Sequence, residues 1–332
     1  MFFRFFTLLT CLMLTHHAQA YFQFALADDP GEGFYDMTPV EPVGNNPGDT
    51  IGLQRLFVFV EAARIIESHV KVHYPVIVVA DFSPLYCSPN EAMLGAAGPA
   101  AFEETDFHTR IIPHALWNQM VQADADEDAP EIVATFNSAI DNNEDCITGT
   151  NWYYGLDGNS GDDEDLLSTV IHELLHGMGF MSTMLPDGEM LFQTEDYSFG
   201  SQTPLYDPFT LKLHSTHYDA SLESLSEANR VSAMRSTDKL VWAGSYANSA
   251  ASELTEGLTD DMVQMYAPSF YQDGSSVSHF STALSPDELM EPYAESSTGN
   301  SISFAALLDI GWDTAEEQYP PNIREITDKT MQ

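Results

Sequence analysis

The segment His172-Glu173-Leu174-Leu175-His176-Gly177-Met178-Gly179-Phe180 carries two histidines four positions apart, with a glutamate directly after the first. On an α-helix, positions i and i+4 lie on the same face one turn apart, so both imidazoles can reach one metal ion. Zinc is the expected ion, because neutral imidazoles suit it and a catalytic zinc site combines three protein ligands with a water molecule. Glu173 lies about 100° around the helix from His172, where it can reach that water without binding the metal.

The helix that carries this segment is predicted to run from Leu166 to about Gly177, with Asp165 as a candidate N-cap. Gly177 and Gly179 can both adopt positive φ without strain, so the chain can turn sharply after the helix and return with a third ligand. Apolar residues at helical spacing form the predicted buried stripe of this helix and leave the histidine face toward a cleft: Leu167, Val170, Ile171, Leu174 and Met178.

Residues 1–20 are predicted to be a secretory signal peptide. Arg4 gives the basic start, residues 5–14 form the apolar core, and Ala18-Gln19-Ala20 is a small-x-small cleavage site. The apolar run is too short to span a bilayer, and no later stretch reaches the needed length. We therefore expect a secreted protein without membrane insertion, extracellular or, in a Gram-negative bacterium, periplasmic.

Two cysteines remain after the predicted signal, Cys87 and Cys146. An even pair in an oxidising compartment most simply forms one disulfide, and the alternative is two separate buried thiols. Both cysteines precede the histidine helix, and two are too few for a structural zinc cage. The sequence therefore predicts a bridge that staples the N-terminal half.

The chain is strongly acidic, with 11 Lys+Arg against 51 Asp+Glu and a formal net charge of −40. Nucleic acid and anionic membranes are disfavoured as partners, since both need a basic protein surface. The segment Asp157–Asp165 resembles a loop that could wrap calcium with side-chain oxygens, although it lacks the EF-hand spacing. Calcium is therefore a second candidate cofactor beside zinc.

Before the histidine helix, patterning predicts an α+β arrangement. The expected features, in chain order, are an irregular N-terminal segment or short pro-segment (21–50), a helix capped by Asp49 or Thr50 and ending near Ser68, a strand (70–80), a loop (84–101), a helix (112–121) and a strand (132–140).

The two helical histidines leave a catalytic zinc site one ligand short. The compact spacing H-E-x-x-H-x-x-G-x-x-H would put the third histidine at position 182, which is Ser182 in this chain. Downstream candidates are His214, His217 and His279, and any glutamate between 189 and 291 is a rival, as in thermolysin-like sites. His214 and His217 flank a polar Ser-Thr loop and are interpreted as surface residues.

The segments Ser278-His279-Phe280 and Glu288-Leu289-Met290-Glu291-Pro292 resemble the distal half of leishmanolysin-type metzincins. In that family an insertion separates the H-E-x-x-H-x-x-G helix from a Ser-His-aromatic third ligand, and a Leu-Met-x-Pro turn, the Met-turn, follows. A helix ending in Ala-Leu-Leu-Asp-x-Gly-Trp completes the pattern and is matched by residues 302–312. The resemblance is specific over residues 165–180 and 275–312 and loose elsewhere.

The resemblance implies a role for each matched position. His279 would be the third ligand, beside His172 and His176, and Met290 the methionine beneath the metal. Several metzincins place a tyrosine two residues after that methionine. Tyr293, three residues after Met290, is accordingly a candidate transition-state stabiliser.

The implied fold is α+β and two-lobed. A twisted mixed sheet and the active-site helix would form the N-terminal lobe (51–180), and an insertion (181–278) would follow. A mostly irregular or helical C-terminal lobe (279–318) would carry the third ligand and the Met-turn, before a tail (319–332).

The implied activity is that of a secreted zinc endopeptidase acting on peptide or protein substrates. Glu173 would be the general base toward a metal-activated water, and the strand at 132–140 is the candidate upper rim for an extended substrate. Two alternatives stay open: a non-catalytic exported protein that binds metal or calcium, and a thermolysin-type peptidase with a glutamate ligand.

Overall fold

The computed structural model describes residues 21–105, 110–141, 145–196, 201–293 and 301–315. The predicted signal peptide and the predicted tail lie outside these residues. The α-helices of the described part are α1 (Ile51–His69), α2 (His114–Val121), α3 (Leu166–Gly177), α4 (Glu227–Ala233), α5 (Ser245–Ala250) and α6 (Ser301–Ile310).

Strands, most of them short, lie singly or in runs between these helices, which makes the fold a mixed α+β arrangement. The strands are β1 (Phe22–Leu26), β2 (Val70–Lys71), β3 (Val76–Ser83), β4 (Gly95–Pro99), β5 (Phe102–Glu104), β6 (Ile111–Pro113), β7 (Ile132–Asn137), β8 (Trp152–Tyr153), β9 (Glu164–Asp165), β10 (Gln193–Asp196), β11 (Ser201–Pro204), β12 (Leu213–Ser215), β13 (Ala220–Ser221), β14 (Leu240–Trp242), β15 (Leu258–Thr259), β16 (Met262–Val263) and β17 (Asp313–Thr314).

The largest sheet has the strand order β1-β3-β7-β4. β1, β3 and β7 are mutually parallel, and β4 runs antiparallel to β7. β1 pairs along its whole length, with Phe22 opposite Val76 and Leu26 opposite Ala80. The N-terminal segment, predicted as irregular, therefore contributes a strand to the main sheet.

β4 corrects two expectations from the sequence. Its residues, Gly-Ala-Ala-Gly-Pro, have low strand propensity, and the Pro and Gly content of residues 84–101 together with Cys87 predicts a loop there. Pairing with β7 overrides that weak local preference. β7 consequently has a neighbour on each side and cannot offer a free edge, so the expectation that residues 132–140 form the substrate rim is wrong.

α1 begins where the sequence predicts, because the side chain of Thr50 accepts a hydrogen bond from the Leu53 N–H group. Its buried face carries Phe59, whose ring lies 4.8 Å from Phe34 and 5.1 Å from Phe136, measured between centroids. This aromatic cluster joins α1 to the main sheet and forms the centre of the N-terminal core.

α3 spans the predicted residues, and the carboxylate of Asp165 accepts from the Ser168 N–H group as its N-cap. The helix is buried between α1 and the β4 edge of the sheet. After the helix the chain reverses at Gly179, whose φ of +107° lies in the left-handed region that glycine tolerates.

Residues after α3 return to this helix from the C-terminal part of the chain. The indole N–H group of Trp312 donates to the Met178 carbonyl at 3.0 Å, which ties the end of α6 to the end of α3. The small sheet β13-β12-β14 belongs to the segment between them. Within the described ranges, no helix combines the length and apolar character needed to cross a bilayer.

Candidate metal centre

Three histidine rings converge beside α3. The Nε2 atom of His172 lies 3.1 Å from that of His176 and 3.2 Å from that of His279, and the remaining Nε2 pair is 3.1 Å apart. In the part of the chain that the structure describes, these three side chains are the one group of potential ligands close enough to share a metal ion. Two come from successive turns of α3, and the third returns from a hundred residues downstream.

The opposite nitrogen of each ring faces a main-chain carbonyl oxygen. Nδ1 of His172 lies 2.7 Å from Leu289 O, and Nδ1 of His176 lies 2.7 Å from Phe180 O. Nδ1 of His279 lies 2.8 Å from the carbonyl oxygen of Ser275. A carbonyl oxygen can only accept, so each Nδ1 carries the proton and donates it.

This assignment leaves a lone pair on every Nε2 atom. Three acceptors about 3 Å apart have no hydrogen atom to share and repel one another, unless a cation lies between them. Protonation is disfavoured at this site. Burial, with the nearby His172, lowers the pKa of His176 to about 3, and burial and the other two histidines hold the pKa of His279 well below 6.5. The donor set therefore fits a metal ion that binds neutral imidazoles.

Glu173 points from the same helix toward β4. Its side chain is 8 % exposed and accepts a hydrogen bond from the main-chain N–H group of Ala97. Burial raises the pKa of this carboxyl group to about 8, and the Ala97 hydrogen bond offsets part of that rise. A carboxyl group with a pKa near neutrality can both accept and return a proton.

The main-chain N–H and C=O groups of β4 point alternately toward β7 and toward the opposite edge of the strand. The Asn137 N–H group donates to Leu94 O at 2.9 Å, and the Ala100 N–H group donates to Glu131 O at 2.9 Å. Hydrogen bonding alternates along an antiparallel strand, so the even-numbered positions from 94 to 100 face β7.

The odd-numbered positions of β4 face the other way, toward Glu173. Gly95 directs its N–H and C=O groups to this side, and Ala97 its C=O group, because the Ala97 N–H group is taken by Glu173. No strand of the described residues pairs with this side of β4. The structure thus places an unpaired strand edge beside the glutamate.

Met290 lies in the turn that supports His172. Its side chain is fully buried, and its carbonyl oxygen accepts from the Phe280 N–H group at 2.8 Å. The preceding residue, Leu289, supplies the carbonyl that holds Nδ1 of His172. The predicted Met-turn segment and the histidine helix are therefore in direct contact.

Tyr293 is 58 % exposed, and its hydroxyl group contacts the polar side chains of Tyr266 and Gln272. Its hydroxyl lies 3.2 Å from the Tyr266 hydroxyl and donates to Gln272 Oε1 at 3.2 Å. Burial, with the hydrogen bond that the Tyr266 hydroxyl donates to Tyr293, raises the pKa of Tyr266 to about 12. The Tyr266 N–H group donates to the His279 carbonyl at 2.9 Å, so this tyrosine pair adjoins the third histidine through the main chain.

The remaining candidates lie apart from the three histidines. His217 is exposed beside Tyr218, and His214 lies in β12 with its Nε2 atom 3.7 Å from Asp219. In the acidic segment 157–165, Asp165 is the N-cap of α3, and Asp157 accepts from the Tyr153 hydroxyl at 2.6 Å. These carboxylates do not form a group of potential metal ligands in the described residues.

The predicted disulfide is confirmed. Cys87 and Cys146 are bridged, with their Cα atoms 5.2 Å apart. The two cysteines are separated by 59 positions in the sequence, and the segment between them includes β4 and β7. The disulfide therefore closes a loop that contains β4, the strand whose edge faces Glu173.

Sequence reasoning missed the main-chain parts of this site. The Leu289, Phe180 and Ser275 carbonyl groups that orient the rings have no side-chain signature. Gly95 and Ala97 could not be found from composition, since Gly and Ala do not favour strands.

A family model described as SPBPB7E8-like matches residues 56–223. The match covers half of the chain and includes most of α1, the main sheet from β3 onward, α3 and part of the segment that follows. His172, Glu173 and His176 lie inside it, and His279 lies beyond its end. Comparison with curated proteins and with solved structures finds no match. The chain belongs to the SPBPB7E8-like family.

Proposed function

We propose that this protein is a secreted zinc-dependent endopeptidase with a two-lobed, metzincin-like arrangement. The observation that carries the proposal is the convergence of three Nε2 lone pairs, each enforced by a carbonyl oxygen on the opposite nitrogen. Imidazole nitrogens bound at about 2.0–2.1 Å in a tetrahedral zinc site lie about 3.3 Å apart. The separations of 3.1–3.2 Å are close to that value.

His172, His176 and His279 would hold the zinc ion. Bound there, zinc would lower the pKa of a water molecule and polarise the carbonyl of a peptide bond. The three histidines remain neutral because burial lowers each of their pKa values, and neutral imidazole is the form that binds metal.

Glu173 would act as the general base. It would take a proton from the attacking water and return it to the leaving amine, for which a pKa near the working pH is favourable. Its carboxyl group interacts with the Ala97 N–H group, so the proton acceptor would lie beside the strand edge.

An extended peptide would bind along β4. Gly95 offers an N–H and a C=O group and Ala97 a C=O group, which is the pattern an added strand needs. Pro99, at the end of β4, has no N–H group, so the ladder is expected to end there. A substrate strand bound in this way would pass beside Glu173.

The test is hydrolysis of a quenched peptide library by the purified protein after zinc loading. We expect cleavage that a zinc chelator abolishes and added zinc restores. The Glu173→Gln variant should bind zinc with the wild-type stoichiometry and lose nearly all cleavage. Zinc binding without any cleavage by the wild type would favour the non-catalytic metal-binding alternative, and no zinc binding would overturn the proposal.

A further inference from the structure

Behind His172 lies a hydrogen-bonded cluster at the start of α6. Ser303 is fully buried, and its hydroxyl donates to Glu288 Oε2 at 3.2 Å. The same hydroxyl oxygen accepts from the Met290 N–H group at 3.3 Å. The Glu288 carboxylate also accepts from the main-chain N–H group of Ser303. Glu288 and Met290, the two neighbours of Leu289, therefore both form hydrogen bonds with Ser303.

The position of this cluster gives it a direct effect on the metal centre. Leu289 lies between Glu288 and Met290, and its carbonyl oxygen holds Nδ1 of His172 at 2.7 Å. The direction of that carbonyl depends on the turn, and the turn is fixed at both flanking residues by Ser303. Because a metal-ligating histidine is oriented through its second nitrogen, this link reaches the ligand itself.

Glu288 is buried although it carries a titratable carboxyl group. It is 5 % exposed, and burial, with the nearby Glu291 carboxylate, raises its pKa to about 7. Burying a carboxyl group costs free energy that its hydrogen bonds must offset. An anionic group at a helix N-terminus is stabilised by the helix dipole, and the Ser303 N–H group belongs to the first turn of α6.

We propose that Ser303 and Glu288 are positioning residues that hold His172 ready for metal through the Leu289 carbonyl. They act through another residue and touch neither metal nor substrate. The inference rests on the metal site of the proposed function, and it does not require peptidase activity. It makes α6 part of the support of a ligand that lies on α3.

The test compares two buried serines. Ser303→Ala removes a hydroxyl with two partners, whereas Ser215→Ala removes a fully buried hydroxyl that has no hydrogen-bond partner among the described residues. Zinc affinity is measured by competition with a chromophoric chelator. Ser303→Ala should weaken zinc binding about 10- to 100-fold, the usual effect of losing an outer support, and Ser215→Ala should not.

A second readout uses the metal-free protein. The Nδ1–H proton of His172, followed by ¹⁵N-edited NMR, should lose its hydrogen-bonded downfield shift in Ser303→Ala and keep it in Ser215→Ala. Glu288→Gln, which retains an acceptor oxygen, should lose less zinc affinity than Glu288→Leu. This rescue separates positioning from a general loss of stability.

Either of two results overturns the proposal: unchanged zinc affinity in Ser303→Ala, or weakened affinity with an unchanged His172 signal. If the wild type binds zinc without cleaving peptides, the proposed function fails and the positioning role still stands or falls on these measurements. If the wild type binds no zinc, the metal site is wrong and the positioning proposal, which rests on it, is overturned as well.

Discussion

Gly95 and Glu173 face each other so closely that a methyl group on Gly95 would lie 2.9 Å from Cγ of Glu173. A flexible side chain would yield to that contact by moving. We therefore expect Gly95→Ala to shift the glutamate and to lower kcat for peptide cleavage about 10- to 100-fold, since small misplacements at a reacting centre have effects of this size. The decrease in kcat is measured by steady-state kinetics with zinc-loaded protein.

Gly98 is the matched control for this variant. It lies in the same strand, and a methyl group there would have no atom within 4 Å. Gly98→Ala should leave kcat and zinc content unchanged, and Gly95→Ala should change kcat alone. Equal activity in the two variants would contradict the assignment of the β4 edge to the active site.

The third ligand is tested by metal content. His279→Ala removes one of three converging nitrogens, so zinc retained after dialysis should fall from about one per chain to nearly none. His217→Ala, an exposed histidine beside Tyr218, should retain zinc like the wild type. Loss of zinc in His217→Ala instead would mean that the resemblance in the second half of the chain is misaligned.

The buried carboxyl of Glu173 predicts a pH effect in the metal-free protein. Its folded-state pKa, about 8, lies above the ordinary 4.5. Between these values the folded state binds more protons than the unfolded state, so this group's contribution to stability is present below about pH 4.5 and is lost as the pH rises through 8. Glu173→Gln cannot ionise and should therefore gain stability over the wild type as the pH rises.

The gain is on the order of a few kcal/mol above pH 8, at about 1.4 kcal/mol per pKa unit. Urea unfolding of chelator-treated wild type and variant at pH 5 and pH 8.5 measures it. A constant difference between the two proteins across this range would show that the carboxyl group titrates normally.

The Cys87–Cys146 bridge predicts a loss of stability on reduction. Closing a loop between cysteines 59 positions apart destabilises the unfolded chain by about 4 kcal/mol in the chain-entropy account. The double variant Cys87→Ser, Cys146→Ser should unfold at correspondingly lower urea concentration. Its zinc content should stay unchanged under folding conditions, since neither cysteine belongs to the histidine site.

Short-range sequence patterns predicted the starts of α1 and α3, the two histidines on one face of α3 and the α+β class. The Thr50 cap and the Asp165 cap mark helix starts that the structure confirms, because a short polar side chain at that position satisfies a free N–H group. The two histidines of α3 followed from helical spacing in the same way. The mixed α+β class followed from alternating helix and strand patterns.

Pairing between distant segments could not be obtained in this way. β1 and β4 exist because β3 and β7 accept them as neighbours, and the residues of β4 give no sign of it. Spacing alone does not choose the third ligand among the downstream histidines and the glutamates between 189 and 291, and the choice of His279 depends on a resemblance. The supporting carbonyl groups depend on tertiary structure, since every residue carries one.

The distance along the chain between His176 and His279 has a mechanical consequence. The two nitrogens are 3.1 Å apart in space and 103 residues apart in sequence. A metal held by both would act as a cross-link, and the entropy of closing so long a loop amounts to about 5 kcal/mol. The metal would thus be a second long-range cross-link of the chain, beside the disulfide. Removing it with a chelator should therefore both stop the reaction and weaken the attachment of the C-terminal part to α3.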